Sequence, residues 1–409
     1  MRIVIANKFH YLKGGAERYV FDLRDLLVRH GHETVPFAMR DGRNEPSQWD
    51  RHFVSSVRTD ASPLSWSGLR TAGRYLYSFE ARRKFDALLR ESKPDLVHVH
   101  NIYHQISPSI LPVAKRHGLP VVLTAHDYGL VAPNYGLFHD GRICEHTRPD
   151  RYWEAVRHRC VRGSAAASAL CAAELSLHRR LGLWRDNVDR IIAPSAFAAA
   201  MLEDYGIDPA RIVQVPHFID VSGWEPTFGG GYALYVGRLS PEKGIETLVR
   251  AAALSHEVPV RVVGIGPDEA RLRRLAEDLG ARNVTFVGYR TGDDLRQEYS
   301  GARFMVVPSM CYETFGLTVL EGYAAGKPAV VSQMGGLGEV VDDGGTGLMV
   351  SAGDAEDLAA AIGRLWGDPA ACEIMGRNGR HLAENAYSPE PHYRRIMQVY
   401  EEALQDVRG

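Results

Sequence analysis

The chain has 409 residues, 45% of them apolar and 24% charged, with a formal charge of −2 at neutral pH. At ~100–200 residues per domain this length asks for two globular domains, each with its own core. Five scattered cysteines (144, 160, 171, 311, 372) argue against a disulfide framework and for a reducing compartment, no apolar run approaches the ~20 residues of a membrane span, and the opening MRIVIANKF reads as a strand rather than a secretion signal.

In chain order, RIVIAN (2–7) is a strand and YLKGGAERYV (11–20) leads into a helix through 16–29. Gly14 and Gly15 let the backbone approach a phosphate at that helix N-terminus, or simply make a tight turn. The dinucleotide fingerprint G-x-G-x-x-G is absent there, which disfavours a Rossmann dehydrogenase. At 65–89, Trp66, Leu69, Tyr75, Leu76 and Phe79 alternate with Arg70, Arg74, Arg82, Arg83 and Lys84. Such a helix suits an anionic membrane surface, or packs its aromatics on a sheet with the arginines solvated. DLVHVHN (95–101), a helix over 106–117, PVVLTAHD (120–127), the Ala-rich packed helix of 163–177 and RIIAPS (190–195) follow.

After RIVQVPHFID (211–220) the pattern restarts, with a linker near 218–226. The strands are YALYVGRL (232–239), PVRVVGIG (259–266), VTFVGY (284–289), FMVVPS (304–309) and AVVSQ (329–333), each but the last followed by a helical pattern. Short apolar strands alternating with helices predict two doubly wound α/β domains built on parallel sheets. Charge divides with them: residues 1–200 hold 29 Lys+Arg against 20 Asp+Glu, the remainder 19 against 30.

Ligands of such sheets bind beyond the carboxyl ends of the strands. That rule selects Gly14, Gly15, His100, Asn101, His126, Asp127, Arg238, Gly266, Tyr289 and Glu313. Arg238 and Lys243 in YVGRLSPEKGIETL converge on a helix start whose dipole disfavours cations, an arrangement that a bound diphosphate would compensate. His126 can serve as donor, base or core residue, with Asp127 orienting it or capping. His98, His100 and His104 match no helix-borne metal pair, although His98 and His100 share a strand face. Cys144, His146 and Cys160 lack a fourth zinc ligand and read as structural. In CYETFGLTVLEG (311–322), Glu313 precedes a helix with the stripe Leu317, Leu320 and Ala324, and Glu321 lies inside it; Gly326 and Pro328 end it. Counted at 1.5 Å per residue, the two carboxylates stand on the order of 10 Å apart, wide for a glycosidase pair and suited to gripping two parts of one elongated ligand.

These residues resemble family 4 retaining glycosyltransferases of the GT-B fold. The resemblance rests on GGAER (14–18), TAHD (124–127), APS (193–195), YVGRLSPEKGIETLV (235–249), VGIGP (263–267), FVGY (286–289), ETFGLTVLEGYAAGKPAVVS (313–332) and GGLGEVV (335–341), in order along nearly the whole chain. It implies two Rossmann-like domains facing across a deep cleft: an acceptor domain over 1–218, a nucleotide-sugar domain over 219–388, and a helix over 389–409 crossing back. It further implies that Glu321 grips the ribose, Glu313 the transferred sugar, and Arg238 and Lys243 the diphosphate. Gly266, Tyr289, Thr314, Phe315, Gly316 and Leu317 join the donor set. Gly14 and Gly15 close over the phosphates, His126 contacts the sugar at the reacting centre with Glu313, and His100, Asn101 and Asp127 fall on the acceptor side. His217-Phe218 replaces the Asn-Gly that many members carry, leaving the hinge-side contact open.

The reaction so implied moves a hexose-like sugar from a nucleoside-diphosphate sugar to a sugar, lipid-linked or small-molecule acceptor, with retention, in cell-surface glycan or other glycoconjugate synthesis. No D-x-D occurs, so no divalent metal and no cofactor are expected. Nucleic acid is not an expected partner. The expected place is the cytoplasm, with a peripheral contact at the inner membrane face. The rival readings are a GT-B nucleotide-sugar 2-epimerase and a non-catalytic nucleotide-sugar-binding protein.

Overall fold

The computed structural model describes residues 1–56 and 73–408. Trp66, Leu69 and Arg70 of the aromatic–basic stretch lie outside the described residues. Two compact units are formed, one from Met1–His139, Cys144–Val215 and Tyr393–Gly409, the other from Asp140–Ile143 and Pro216–His392.

In the first unit, β1 (Arg2–Ala6), β2 (Glu33–Phe37), β3 (Leu96–Val99), β4 (Val121–Thr124), β5 (Arg190–Ala193) and β6 (Ile212–Gln214) form a parallel sheet of order β2-β1-β3-β4-β5-β6. Helix α1 (Gly15–Arg29) buries Tyr19, Leu23, Leu26 and Leu27, the spacing of one helical face. Helix α2 (Phe79–Ser92) is capped by the Ser78 hydroxyl, which accepts from the Ala81 N–H, and buries Ala81, Phe85, Leu88 and Leu89. The Phe85 ring meets Phe37 of β2 edge-on at 4.9 Å. The buried face of α2 is therefore spent on the sheet, while Phe79 at its start is exposed. Helix α3 (Ala165–Arg180) is the packed Ala-rich helix, and it buries a carboxylate, Glu174, among its alanines.

The second unit repeats the scheme with β7 (Tyr232–Val236), β8 (Val260–Val263), β9 (Val284–Gly288), β10 (Ala302–Val307), β11 (Ala329–Ser332) and β12 (Gly347–Val350), all parallel in the order β9-β8-β7-β10-β11-β12. Strand alternation feeds two apolar layers. Ala233, Tyr235, Phe304 and Val306 pack on one face with helix α4 (Ile245–Leu254). Leu234, Met305 and Val307 pack on the other with helix α5 (Leu317–Ala324). Burial on both faces is what makes these strands read as continuous apolar runs.

Helix α6 (Pro389–Arg408) closes the chain. Its residues from Tyr393 onward belong to the first unit, and Ile396, Val399, Tyr400 and Ala403 are fully buried. Among the described residues no helix is long and apolar enough to cross a membrane.

In each sheet the strand order reverses once: between β1 and β3 in the first unit, between β7 and β10 in the second. The crevice beyond the strand ends at such a reversal is where open α/β sheets bind ligands.

Candidate active site

In the second unit the reversal lies between Gly237-Arg238, just after β7, and the segment after β10. The loops there are layered backbone on backbone. A Cβ on Gly264 would stand 1.9 Å from the Gly237 carbonyl oxygen, and one on Gly266 2.1 Å from that of Leu239. Gly244 has φ +67° and would clash at 1.8 Å with the Pro308 carbonyl oxygen. Gly266 is thus required by close backbone approach, whatever it binds.

Lys243 closes a 3-10 turn, Pro241–Lys243, immediately before α4. Its Nζ donates to Glu313 Oε1 at 2.7 Å, and the Ser309 hydroxyl donates to the same oxygen at 2.5 Å. Burial alone would favour the neutral forms. The mutual attraction outweighs it, holding the Lys243 ammonium well above its usual range and the Glu313 carboxyl below its own. This corrects one premise: the Lys243 charge is not uncompensated, because Glu313 pairs with it. Arg238 is exposed, and among the described residues its guanidinium has no carboxylate partner.

A second correction concerns the glutamates. Helix α5 begins at Leu317 behind Gly316, whose φ is +120°. Glu313 lies before it in an isolated parallel bridge to Gly335, where its carbonyl accepts from the Gly336 N–H at 2.7 Å. The helical count of 1.5 Å per residue therefore does not apply between Glu313 and Glu321. Gly335 permits the bridge: it has φ +64°, and a Cβ there would stand 2.3 Å from the Glu313 carbonyl oxygen. Glu321 is half-buried on α5 and accepts from the Tyr299 hydroxyl at 2.5 Å. The buried face of α5 is Val319, Leu320, Tyr323 and Ala324, with Leu317 half-buried, a shift from the expected stripe. Gly326, at φ +77°, follows its end as expected.

Of the remaining donor-side candidates, Tyr289 is exposed, and Thr314 and Gly316 are half-buried. The Phe315 ring is buried at 5.3 Å from His217 and 5.7 Å from Tyr387, so it offers a ligand no side chain. His217 and Phe218 are both buried, Phe218 stacked on His392 at 4.4 Å. Sequence reasoning missed Ser309 and Tyr299, the hydroxyls that fix the two carboxylates; only Ser309, directly at a strand end, carried a signal.

In the first unit, Gly14 precedes α1 in extended conformation, and it and Gly15 are exposed. His100 Nδ1 and His126 Nε2 share a hydrogen bond of 3.0 Å, and Tyr19 meets His126 edge-on at 5.2 Å. Burial foremost, then the nearby Lys8 charge, pushes His126 down to about 3, so at neutral pH it is an uncharged imidazole. Asp127 accepts from the Gly129 N–H at 2.9 Å; burial raises its carboxyl. Asn101 is buried, its carbonyl accepting from the Lys8 N–H at 3.1 Å. The three nearby histidines part company. His98 is satisfied by Tyr400 (2.7 Å) and Thr124 (2.8 Å) in the core, while His104 joins Glu174 and Tyr135. Cys144 and Cys160 pack thiol to thiol at 3.3 Å, and His146 stacks on His158.

Residues 13–222 match Glycosyltransferase Family 4, and residues 229–382 match Glycosyl transferases group 1. The chain belongs to glycosyltransferase family 4. The D-inositol 3-phosphate glycosyltransferase of Acidothermus cellulolyticus is 34% identical over 97% of this chain and 87% of its own. The glycogen synthase of Mycobacterium tuberculosis is 27% identical over 95% and 91%. Among solved structures, sucrose-phosphate synthase from Thermosynechococcus elongatus superposes with a TM-score of 0.72 over 99% of both chains at 24% identity. Anabaena HepE in complex with UDP-glucose gives 0.70 at 19% identity over 98% and 100%. The family 4 chain thus carries the two Rossmann-like units of the GT-B glycosyltransferases.

Proposed function

We propose that this glycosyltransferase moves a sugar from a nucleoside-diphosphate sugar to an acceptor hydroxyl with retention of anomeric configuration, in building a cell-surface glycan or another glycoconjugate. The observation that carries the reading is the second unit's strand reversal, where the Lys243–Glu313–Ser309 cluster, Arg238 and Glu321 lie on the segments beyond β7 and β10 and on α5, with Tyr299 reaching Glu321 from the helix Gly292–Gly301. HepE, which shares the fold, was solved with UDP and with UDP-glucose. In this reading Arg238 and Lys243 hold the diphosphate and stabilise the charge it develops on leaving. Glu321 takes the ribose and Glu313 the transferred sugar. The departing phosphate oxygen accepts the acceptor's proton, which leaves no protein base to assign. His126, held neutral, hydrogen-bonds substrate hydroxyls, and His100, Asn101 and Asp127 are assigned to the acceptor.

The test is incubation with labelled nucleotide sugars, with and without acceptors. Diphosphate release that depends on acceptor supports transfer. Free epimerised sugar without acceptor identifies an epimerase, and tight binding without turnover a binding protein; either overturns the proposal. With cationic side chains in place of a metal, turnover is expected to survive brief EDTA treatment. Loss on chelation with rescue by magnesium or manganese would refute metal independence.

A peripheral contact with an anionic membrane on the cytoplasmic side is the second part of the proposal. It rests on Phe79, 74% exposed, beside Arg82, Arg83 and Arg116, with Arg90 paired to Asp86 at 3.0 Å in the same patch. Each surface cation contributes on the order of 1 kcal/mol to such docking. Co-sedimentation at low salt should recover more protein with anionic than with neutral vesicles. Equal recovery rules the contact out.

A further inference from the structure

The first unit buries an imidazole, a thiol and a carboxylate together, and none of the three is used in the proposed transfer. Cys171 and Glu174 stand three residues apart on one face of α3, 8% and 2% exposed. His104 reaches them from the short helix Tyr103–Ile106. Its Nδ1 lies 2.8 Å from Glu174 Oε1 and 2.6 Å from Oε2. One donor atom from each of the three residues falls within 4.8 Å of the others. They line a cavity of about 10 Å³, close to the room one ion or water needs.

A carboxylate this deeply buried needs a cation beside it. Among the described residues, neither Lys nor Arg forms an ion pair with Glu174. We propose that His104, Cys171 and Glu174, with a water molecule as the fourth ligand, bind a divalent transition-metal ion of the zinc class, which clamps α3 to the Tyr103–Ile106 turn. Nitrogen, sulfur and oxygen donors in one set suit zinc and exclude magnesium or calcium, which take oxygen alone. With bonds of ~2.0–2.3 Å, donors around a tetrahedral ion stand about 3.5 Å apart, so small side-chain movements close the set. The remaining ring nitrogen of His104, Nε2, is hydrogen-bonded to the Tyr135 hydroxyl, and Tyr75 stacks on the imidazole at 4.7 Å. That outer partner fixes the tautomer and turns Nδ1 toward the ion. On binding, the Cys171 S–H bond breaks, the thiolate keeps the electron pair and bonds the metal, and its proton passes to solvent; the proton that His104 Nδ1 shares with Glu174 leaves as Nε2 takes one up and donates to the Tyr135 hydroxyl oxygen, freeing the Nδ1 lone pair for the ion. Burial beside Glu174 pushes the metal-free thiol up to about 12, and the ion reverses that preference. The clamp serves the fold and is independent of the proposed transfer chemistry.

The experiment uses the full chain, freed of any affinity tag, dialysed against a strong chelator and titrated with cobalt(II). The expected result is one equivalent per chain with a sulfur-to-cobalt charge-transfer band, retained in Cys144→Ala. Cys171→Ala should abolish the band and weaken binding by more than the ~10–100-fold that loss of an outer partner costs. Should Cys171→Ala not fold, zinc protection of Cys171 from alkylation in the unaltered chain, read by mass spectrometry, serves instead. Substoichiometric binding, a spectrum without the thiolate band, or equal alkylation with and without zinc overturns the proposal, leaving His104 and Glu174 as a metal-free pair.

Discussion

Glu313→Gln should lower sugar transfer about 100-fold or more, the order expected when one preorganised electrostatic contact at a reacting centre is removed. It should leave nucleoside-diphosphate affinity unchanged or improved. The reason is the 2.7 Å pair with Lys243: in the free enzyme Glu313 occupies the ammonium that the diphosphate would use. Neutralising Glu313 releases Lys243 to the ligand, whereas Lys243→Ala removes a charged hydrogen bond of ~1.5–3 kcal/mol from diphosphate binding. Glu321→Gln, by contrast, should weaken binding of the nucleotide itself. Calorimetry that shows Glu313→Gln and Glu321→Gln losing diphosphate affinity equally would defeat this division of roles. The pair also sets a pH window. The folded-state pKa of Glu313 lies below its ordinary value, so its contribution to stability is complete above the unfolded carboxylate pKa of ~4.3 and is lost as pH falls through the folded one. The difference in Tm between the unaltered enzyme and Glu313→Gln should therefore hold near neutrality and shrink only below about pH 4.3.

Arg238→Ala should cost nucleoside-diphosphate affinity about 10–100-fold, or ~1.5–3 kcal/mol, with stability changed by less than about 0.5 kcal/mol. Arg238 is exposed and, among the described residues, forms no ion pair, so its removal leaves no buried charge behind. Arg238→Lys should recover part of the loss, because an ammonium supplies charge without the planar fork that suits phosphate oxygens. Unchanged diphosphate affinity in Arg238→Ala would remove it from the clamp.

Much of the architecture was legible because parallel strands buried on both faces write themselves as apolar runs, and the rule about strand ends then chose positions without knowledge of packing. What the chain order concealed were partnerships across long separations. Lys243 looked uncompensated because its counter-charge lies 70 positions on. The separation of Glu313 from Glu321 was counted at a helical rise because the bridge from Glu313 to Gly335 leaves no local pattern ahead of the helix. Glu174 was invisible for another reason: a lone carboxylate in an Ala-rich helix ordinarily faces water, whereas here it faces inward, with its hydrogen-bond partner His104 lying 70 residues upstream. Phe315 shows the reverse, a motif residue whose side chain belongs to the core.

Helix α6 bears on the order in which the chain becomes native. From Tyr393 onward it completes the first unit: the Tyr400 hydroxyl bonds His98, Tyr393 bonds His32 at 2.7 Å, and Asp406 pairs with Arg190 at 2.6 Å. All three of those partners are synthesised at least 200 residues earlier. A ribosome therefore releases the second unit's long segment, Pro216–His392, before the unit that begins the chain has received its last piece of core. Until then the back of β3 waits uncovered, and vectorial synthesis, which ordinarily favours the amino-terminal domain, here gives the carboxyl-terminal one the first opportunity to finish.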